Sequence, residues 1–238
     1  MDEKQRIQGI FDRIAPVYDR LNNQLSLGTH HIWKKMALRW SQAQAGQTGL
    51  DLCCGSGDLA ILMAQRLGTQ GQVLGVDFSA EQLAIARSRQ KPFTFALAPI
   101  NWVEADALDL PFADHSFDCA TMGYGLRNVI DIPRSLQELY RVLKPGATAA
   151  ILDMNRPQAP SLKAFQQWYL ETIVVPAAEG LGLREEYAYI HPSLEKFPTG
   201  PQQVTLAENA GFRPVTHYAI AGGMMGVLVV TKESSVSR

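Results

Sequence analysis

From Gly49 onward, short apolar runs alternate with stretches whose apolar residues recur at helical spacing: LDLCC then LAILMAQRL, QVLGVDF then AEQLAIARSRQ, INWVEAD, FDCATMGYG then DIPRSLQELYRVL, and ATAAILDMN. Strand and helix in alternation predict a parallel sheet covered on both faces by helices, a doubly wound α/β architecture. Gly68 stops the first of these helices, Pro133 stands in the first turn of a later one, and KPG at 144–146 ends that one before the next strand. After Asn155 the period becomes purely helical, with Leu162, Phe165, Tyr169 and Ile173 on one face. The chain then returns through PQQVTLAENAG to two strands, FRPVTHYAIA and GVLVVTK, spaced to pair as a hairpin. The first 45 residues lack strand alternation and read as a helical cap.

The expectation is one domain with a mostly parallel, seven-stranded, Rossmann-like sheet. Its parts are a cap at 1–45, a cofactor-binding core at 46–156, a helical insertion at 157–205, a last helix and strand pair at 206–232 and a disordered tail at 233–238. A length of 238 residues suits a single core with a lid.

Composition narrows the partners. A net charge of −1 supplies no basic field for a nucleic-acid backbone. The N-terminal MDEKQRIQGIF has no apolar core of the secretory kind, and no apolar run reaches the ~18 residues of a spanning helix. These features predict a cytoplasmic protein whose only membrane contact is peripheral. The three cysteines, Cys53, Cys54 and Cys119, form no CxxC pair and read as buried packing thiols; no metal site is expected.

The chemistry gathers at strand ends. GSGDLA at 55–60 follows a predicted strand and opens a predicted helix, and Asp77 closes the next strand about twenty residues on, where an acid takes ribose hydroxyls. That spacing predicts an adenosine cofactor. Asp51 and Asp58 choose its kind, because like charges about 4 Å apart repel by about 4 kcal/mol at an effective dielectric of 20, which disfavours a pyrophosphate. S-adenosylmethionine carries an ammonium and a sulfonium instead, and its carboxylate can still use N–H groups at the helix start. Asp106, at the end of the third strand, and the Ala107 backbone would take the adenine edge. The predicted cofactor set is therefore Asp51, Gly55, Ser56, Gly57, Asp77, Phe78, Asp106, Ala107 and Gly123. Each acid has a plainer alternative: Asp51 as a structural acid, Asp58 as a helix N-cap, Asp106 as a loop cap.

LDLCCGSGD, VDFS, ADALDLPF, GLRN and RVLKPG together resemble the class I S-adenosylmethionine-dependent methyltransferases from Gly49 to Asn155. GLRNV at 125–129, with FDRIAPVYDRLN and SLGTHHIWK before it, is similar to the ubiquinone/menaquinone biosynthesis C-methyltransferase family over nearly the full length. REEYAYIHPSLEKFPTG and GGMMGVLV are most like its cyanobacterial and plastid branch, the demethylphylloquinone methyltransferases. The resemblance implies carbon methylation of a reduced 2-phytyl-1,4-naphthoquinol, with demethylmenaquinone or a ubiquinone precursor as the alternative. It also implies peripheral contact with the thylakoid surface, and leaves a homodimer open.

On that reading Arg127 stabilises the phenolate, Asn128 orients the ring oxygens and Tyr18 closes the site and relays a proton; these three are the catalytic candidates. The plainer alternatives are a surface salt bridge for Arg127 and a cap-packing aromatic for Tyr18. His30, in SLGTHH, stays outside the catalytic set because a lone histidine is more often structural. The loop LDMNRP departs from the acid-Phe-Ser usual after the fifth strand, with Asp153 and Asn155 near those positions. A nicotinamide-linked oxidoreductase and a noncatalytic cofactor-binding assembly protein are the rival functions.

Overall fold

The computed structural model describes residues 3–17, 21, 23, 25–90 and 97–234. Its strands are β1 (Thr48–Leu52), β2 (Gln72–Asp77), β3 (Ile100–Glu104), β4 (Phe117–Gly123), β5 (Leu143–Met154), β6 (Val215–Ile220) and β7 (Met225–Thr231). They form one seven-stranded sheet in the order β3-β2-β1-β4-β5-β7-β6. The first five run parallel and β7 is antiparallel to both β5 and β6. The doubly wound sheet and the terminal hairpin expected from the sequence are both present.

β1, TGLDL, is buried over its last four residues, as expected where helices cover both faces of a parallel sheet. From β1 the chain crosses to β2 on one side, and β4 pairs on the other. The carboxyl end of β1 is thus a topological switch point with a crevice outside it. The helices that position this crevice are α1 (Glu3–Ile14), α2 (Thr29–Trp40), α3 (Asp58–Leu67), α4 (Ala80–Gln90) and α5 (Ile132–Val142). α5 starts where Asp131 accepts a bond from the Arg134 amide at 2.9 Å, with Pro133 in the first turn. It ends at Val142, and KPG falls inside β5, where the register with β4 slips between Phe117 and Cys119.

Between β5 and β6 run α6 (Pro160–Tyr169), a π-turn over Leu170–Val174, α7 (Val175–Glu179), α8 (Arg184–Ala188), α9 (Ile190–Lys196) and α10 (Gly200–Asn209). Phe165 and Ile173 are exposed, and the buried positions are Gln166, Leu170, Val174 and Ala178, the neighbouring i+4 row. Leu170, Val174 and Ala178 join Ile14, Leu21, Leu183, Tyr187 and Leu194 in a second apolar core that binds the N-terminal cap to the insertion. The division expected at 205/206 falls inside α10, which begins at 200 because the Thr199 amide is capped by Gln202 Oε1 at 2.9 Å. Of the expected tail at 233–238, residues 235–238 lie outside the described residues; just before the tail, Lys232 is buried and its Nζ donates to the Tyr140 carbonyl at 2.7 Å.

One side chain fixes the glycine spacing. The Trp102 ring lies so close to α3 and β2 that a Cβ on Gly57 would stand 2.6 Å from it and one on Gly75 2.5 Å. Gly57 also has φ +88. Gly57→Ala is therefore expected to cost about 1–3 kcal/mol of stability, through strain and overpacking together, measured by denaturant unfolding.

Candidate active site

β1 delivers Asp51 to the switch point, fully buried. Thr121 Oγ1 on β4 donates to its Oδ1 at 2.8 Å, whereas Oδ2 is buried without a hydrogen-bond partner; Asp51 lines the crevice. Burial pushes its pKa up to about 7 against the Thr121 hydrogen bond. A carboxylate with one oxygen held and the other lacking a donor suits a cationic amine, which supplies what burial removed. The residues present thus fit an ammonium-bearing cofactor.

The glycine turn follows. Cys53 and Gly55 both take positive φ, and Gly57, also left-handed, occupies the N-cap of α3. Asp77, at the end of β2, accepts from the Gly55 amide at 2.8 Å and the Ser79 amide at 3.0 Å, tying strand to turn. Burial lifts its pKa to about 6 against those amides. Ser56, Phe78, Asp106, Ala107 and Gly123 border the same crevice, which has an empty volume of about 1000 Å³ including its mouth. Every member of the predicted cofactor set therefore meets there except Gly57, which stands between the lining residues Ser56 and Asp58. Asp106 also caps its own turn through the Leu108 amide at 2.9 Å and pairs with Lys4 at 2.5 Å, so the loop-cap role is real as well.

Asp58 is neither an N-cap nor a spare negative charge. Gly57 holds the cap position, and the Asp58 carboxylate is held by Lys34 Nζ at 2.5 Å and by Arg89. Burial raises its pKa, yet Lys34 and Arg89 overcome this and hold it at about 2. The buried Lys34, absent from the expectations, reaches the crevice from α2; nothing in WKKM marks Lys34 rather than Lys35 for burial. The thiols are inert, because burial pushes Cys119 up to about 12 and Cys53 and Cys54 well above the ordinary range.

Beyond β4 the chain turns sharply through Tyr124, at φ +61, into a 3-10 turn over Leu126–Asn128. Arg127 is no surface residue. Its amide donates to Asp153 Oδ2 at 2.9 Å, its Nε lies 3.4 Å from Asp153 Oδ1, and its Nη1 donates to Ser193 Oγ. Asp153, at the end of β5, is buried, which raises its pKa while Arg127 opposes the rise. Asn128 Nδ2 donates to the Tyr124 carbonyl at 2.9 Å, leaving its buried Oδ1 without a partner. Tyr18 lies outside the described residues.

Arg127 and Asn128 face a second cavity of about 1610 Å³ including its mouth, walled by apolar residues such as Ile10, Ile14, Tyr169, Leu170, Val174 and Met225. Phe11, Tyr124 and Asn128 line both spaces, so the polar crevice and the apolar chamber adjoin. Residues 1–232 match the family model of the ubiE/COQ5 methyltransferase family. The chain belongs to that family.

Its relatives agree. The chain is 62% identical over 227 residues to the 2-phytyl-1,4-naphtoquinone methyltransferase of a Nostoc species, covering 95% of this chain and 99% of that one. It is 50% identical over 224 residues to the chloroplastic 2-phytyl-1,4-beta-naphthoquinone methyltransferase of Arabidopsis thaliana, covering 94% and 86%. Solved structures with the same fold include a putative S-adenosyl-L-methionine-dependent methyltransferase from Methanococcus maripaludis, with 17% identity, a TM-score of 0.66 and 95% of each chain covered. Another is a SAM-dependent methyltransferase from Thermotoga maritima, with 19% identity, a TM-score of 0.64 and 95% and 100% covered. As a ubiE/COQ5 member the chain is an S-adenosylmethionine-dependent methyltransferase, not a nicotinamide enzyme.

Proposed function

We propose that this enzyme methylates a ring carbon of reduced 2-phytyl-1,4-naphthoquinol. The observation that carries this reading is the junction at Phe11, Tyr124 and Asn128, where a crevice suited to a cation opens onto an apolar chamber. A prenylated ring with a polar rim matches that chamber, and the close relatives are named for phytyl naphthoquinone. Demethylmenaquinone, the same ring with another tail, is the second substrate.

S-adenosylmethionine, when bound, supplies an electrophilic methyl group on sulfur. Asp51 Oδ2 would hold its ammonium, the 55–57 turn its carboxylate, Asp77 its ribose, and Phe78, Asp106 and Ala107 its adenine, with the Gly123 backbone beside the reacting end. An oxidised quinone is too electron-poor to attack, so the nucleophile is the quinol deprotonated at oxygen. Arg127, aimed by Asp153 and Ser193, stabilises the phenolate, and the open Oδ1 of Asn128 takes a ring hydroxyl. Tyr18 keeps its role as closing residue and proton relay on the family resemblance.

Among the described residues no helix is long and apolar enough to cross a membrane. Leu27 and Phe165 line the chamber yet are 89% and 47% exposed, and Trp168 beside them is 51% exposed. This apolar rim supports peripheral docking on a membrane surface, from which a phytyl chain slides into the chamber.

Asp51 sets a pH dependence. With its carboxyl at about 7 in the free enzyme, binding an ammonium below pH 7 requires loss of a proton. The dissociation constant for S-adenosylmethionine should rise by up to about tenfold per unit of acidification below that value and be flat above it. Titration calorimetry in two buffers should show proton release at pH 6 and none at pH 8.

The substrate is tested by mass spectrometry of chemically reduced phytyl-naphthoquinone, polyprenyl-naphthoquinone and polyprenyl-benzoquinone precursors incubated with enzyme and labelled methyl donor. The highest kcat/KM is expected for the phytyl naphthoquinol. A preference for the benzoquinol would overturn the proposal.

A further inference from the structure

The chamber needs a group that accepts the quinol proton, and its ionisable lining can be sorted by strength. A phenolic hydroxyl has a pKa of about 10. Arg127 stays protonated and cannot accept. Glu186 is held by Arg13 at 2.5 Å, and a carboxylate is about six units too weak a base for a phenol. Tyr124, Tyr169, Tyr187 and Tyr189 are phenols themselves, and burial pushes Tyr169 and Tyr189 further up, in Tyr189 against the pull of Arg127. Among the described residues that line the chamber, one side chain of the right class is left. An imidazole, at about 6.5 unperturbed, is the group best matched to proton transfer near neutral pH.

His30 supplies it. The residue lies in the first turn of α2, only 3% exposed, and lines the chamber together with Arg127 and Asn128. Its Nδ1 is 2.7 Å from Ser26 Oγ, which fixes the ring's orientation. The His31 ring lies beside it with centroids 3.9 Å apart. A nitrogen of each histidine and a carboxylate oxygen of Asp58 on α3 stand within 4.8 Å of one another. The charged groups around the pair are Asp58, Lys34, which is bound to Asp58, and Arg127 in the chamber wall.

We propose that His30 is the general base of the reaction. This rests on the quinol methyltransferase reading above. The quinol O–H bond breaks, the proton passes to an imidazole nitrogen and the electron pair stays on oxygen, making the ring carbon nucleophilic. Once that carbon carries the methyl, its own hydrogen leaves as a proton and the imidazolium returns the first proton to oxygen. One proton is released to solvent per turnover.

The test compares wild type with His30→Ala and His30→Gln, measuring turnover on reduced phytyl naphthoquinol across pH, affinity for S-adenosylmethionine, and recovery with added imidazole. The alanine variant is expected to lose about 10²–10³-fold in kcat at pH 7. It should keep cofactor affinity within threefold, lose the acid limb of the wild-type profile and recover partly with imidazole. His30→Gln, which retains a polar group toward Ser26, should fold normally and remain as slow. Turnover within threefold of wild type with the acid limb intact would overturn the proposal. So would a loss in both variants that imidazole does not relieve and that parallels lost cofactor affinity, because that marks a structural histidine. Failure of the wild-type enzyme on every naphthoquinol would instead overturn the substrate reading.

Discussion

Asp51→Asn is expected to weaken S-adenosylmethionine binding by roughly 10- to 150-fold, the range set by about 1.5–3 kcal/mol for a charged hydrogen bond. The change is isosteric, and Thr121 can still donate to the amide oxygen as it now does to Oδ1. The other end of the side chain then presents N–H donors to the crevice, where a ligand ammonium meets a donor instead of an acceptor. Stability should move the opposite way. Burial of this carboxylate raises its pKa to about 7, so at pH 8 the free enzyme bears a desolvated charge with one unpartnered oxygen. Removing that charge is expected to leave Tm unchanged or higher in the absence of cofactor. A structural acid predicts the reverse pair, a lower Tm with binding intact, so thermal unfolding and calorimetry on this one variant separate the two roles.

The second large effect falls on Arg127. Its removal takes the phenolate's counter-charge from a largely apolar chamber. Arg127→Ala is therefore expected to lower kcat by about 10²–10³-fold while the affinity for S-adenosylmethionine stays within twofold. The same change leaves Asp153 buried without its partner, which costs about 3–5 kcal/mol. Two companions keep the result readable. Arg127→Ala with Asp153→Asn removes the orphaned charge and should regain stability without regaining turnover. Arg127→Lys keeps one positive charge but cannot serve Asp153, Ser193 and substrate through a single ammonium, and should stay at least tenfold slow. Full turnover in the lysine variant would show that charge alone, not the guanidinium's geometry, carries the step.

What could be read from the sequence was local. The acids at the ends of β1, β2 and β3 and the 55–57 turn follow from strand period and glycine spacing, and these residues converge on or beside one crevice. The GLRN turn likewise follows directly from the end of β4. The losses came where partners are distant in the chain. Asp58 read as an open negative charge or, more plainly, as a cap, because Lys34, 24 positions earlier, and Arg89, 31 later, have no local mark of converging on it. Asp153 looked like a mere departure because its meaning lies in the Arg127 side chain, whose amide bond to it spans 26 positions. Two apolar rows run along the insertion, and the sequence shows both without marking which is buried. Only contact with Ile14 and Leu21 of the cap decides that the Leu170–Val174 row is the buried one. The chamber is built where cap meets insertion, and Phe165, Tyr169 and Val174 of the insertion's apolar rows line it opposite Ile10 and Ile14 of the cap.

Single turnover tests the account most directly. Enzyme preloaded with methyl-labelled S-adenosylmethionine is mixed with one equivalent of reduced 2-phytyl-1,4-naphthoquinol, and the product is located by fragmentation mass spectrometry. The account predicts one labelled methyl per enzyme on the ring carbon and none transferred when the quinone is left oxidised. Label on a ring oxygen, or equal transfer to the oxidised ring, would contradict a phenolate-driven carbon attack across the junction at Phe11, Tyr124 and Asn128.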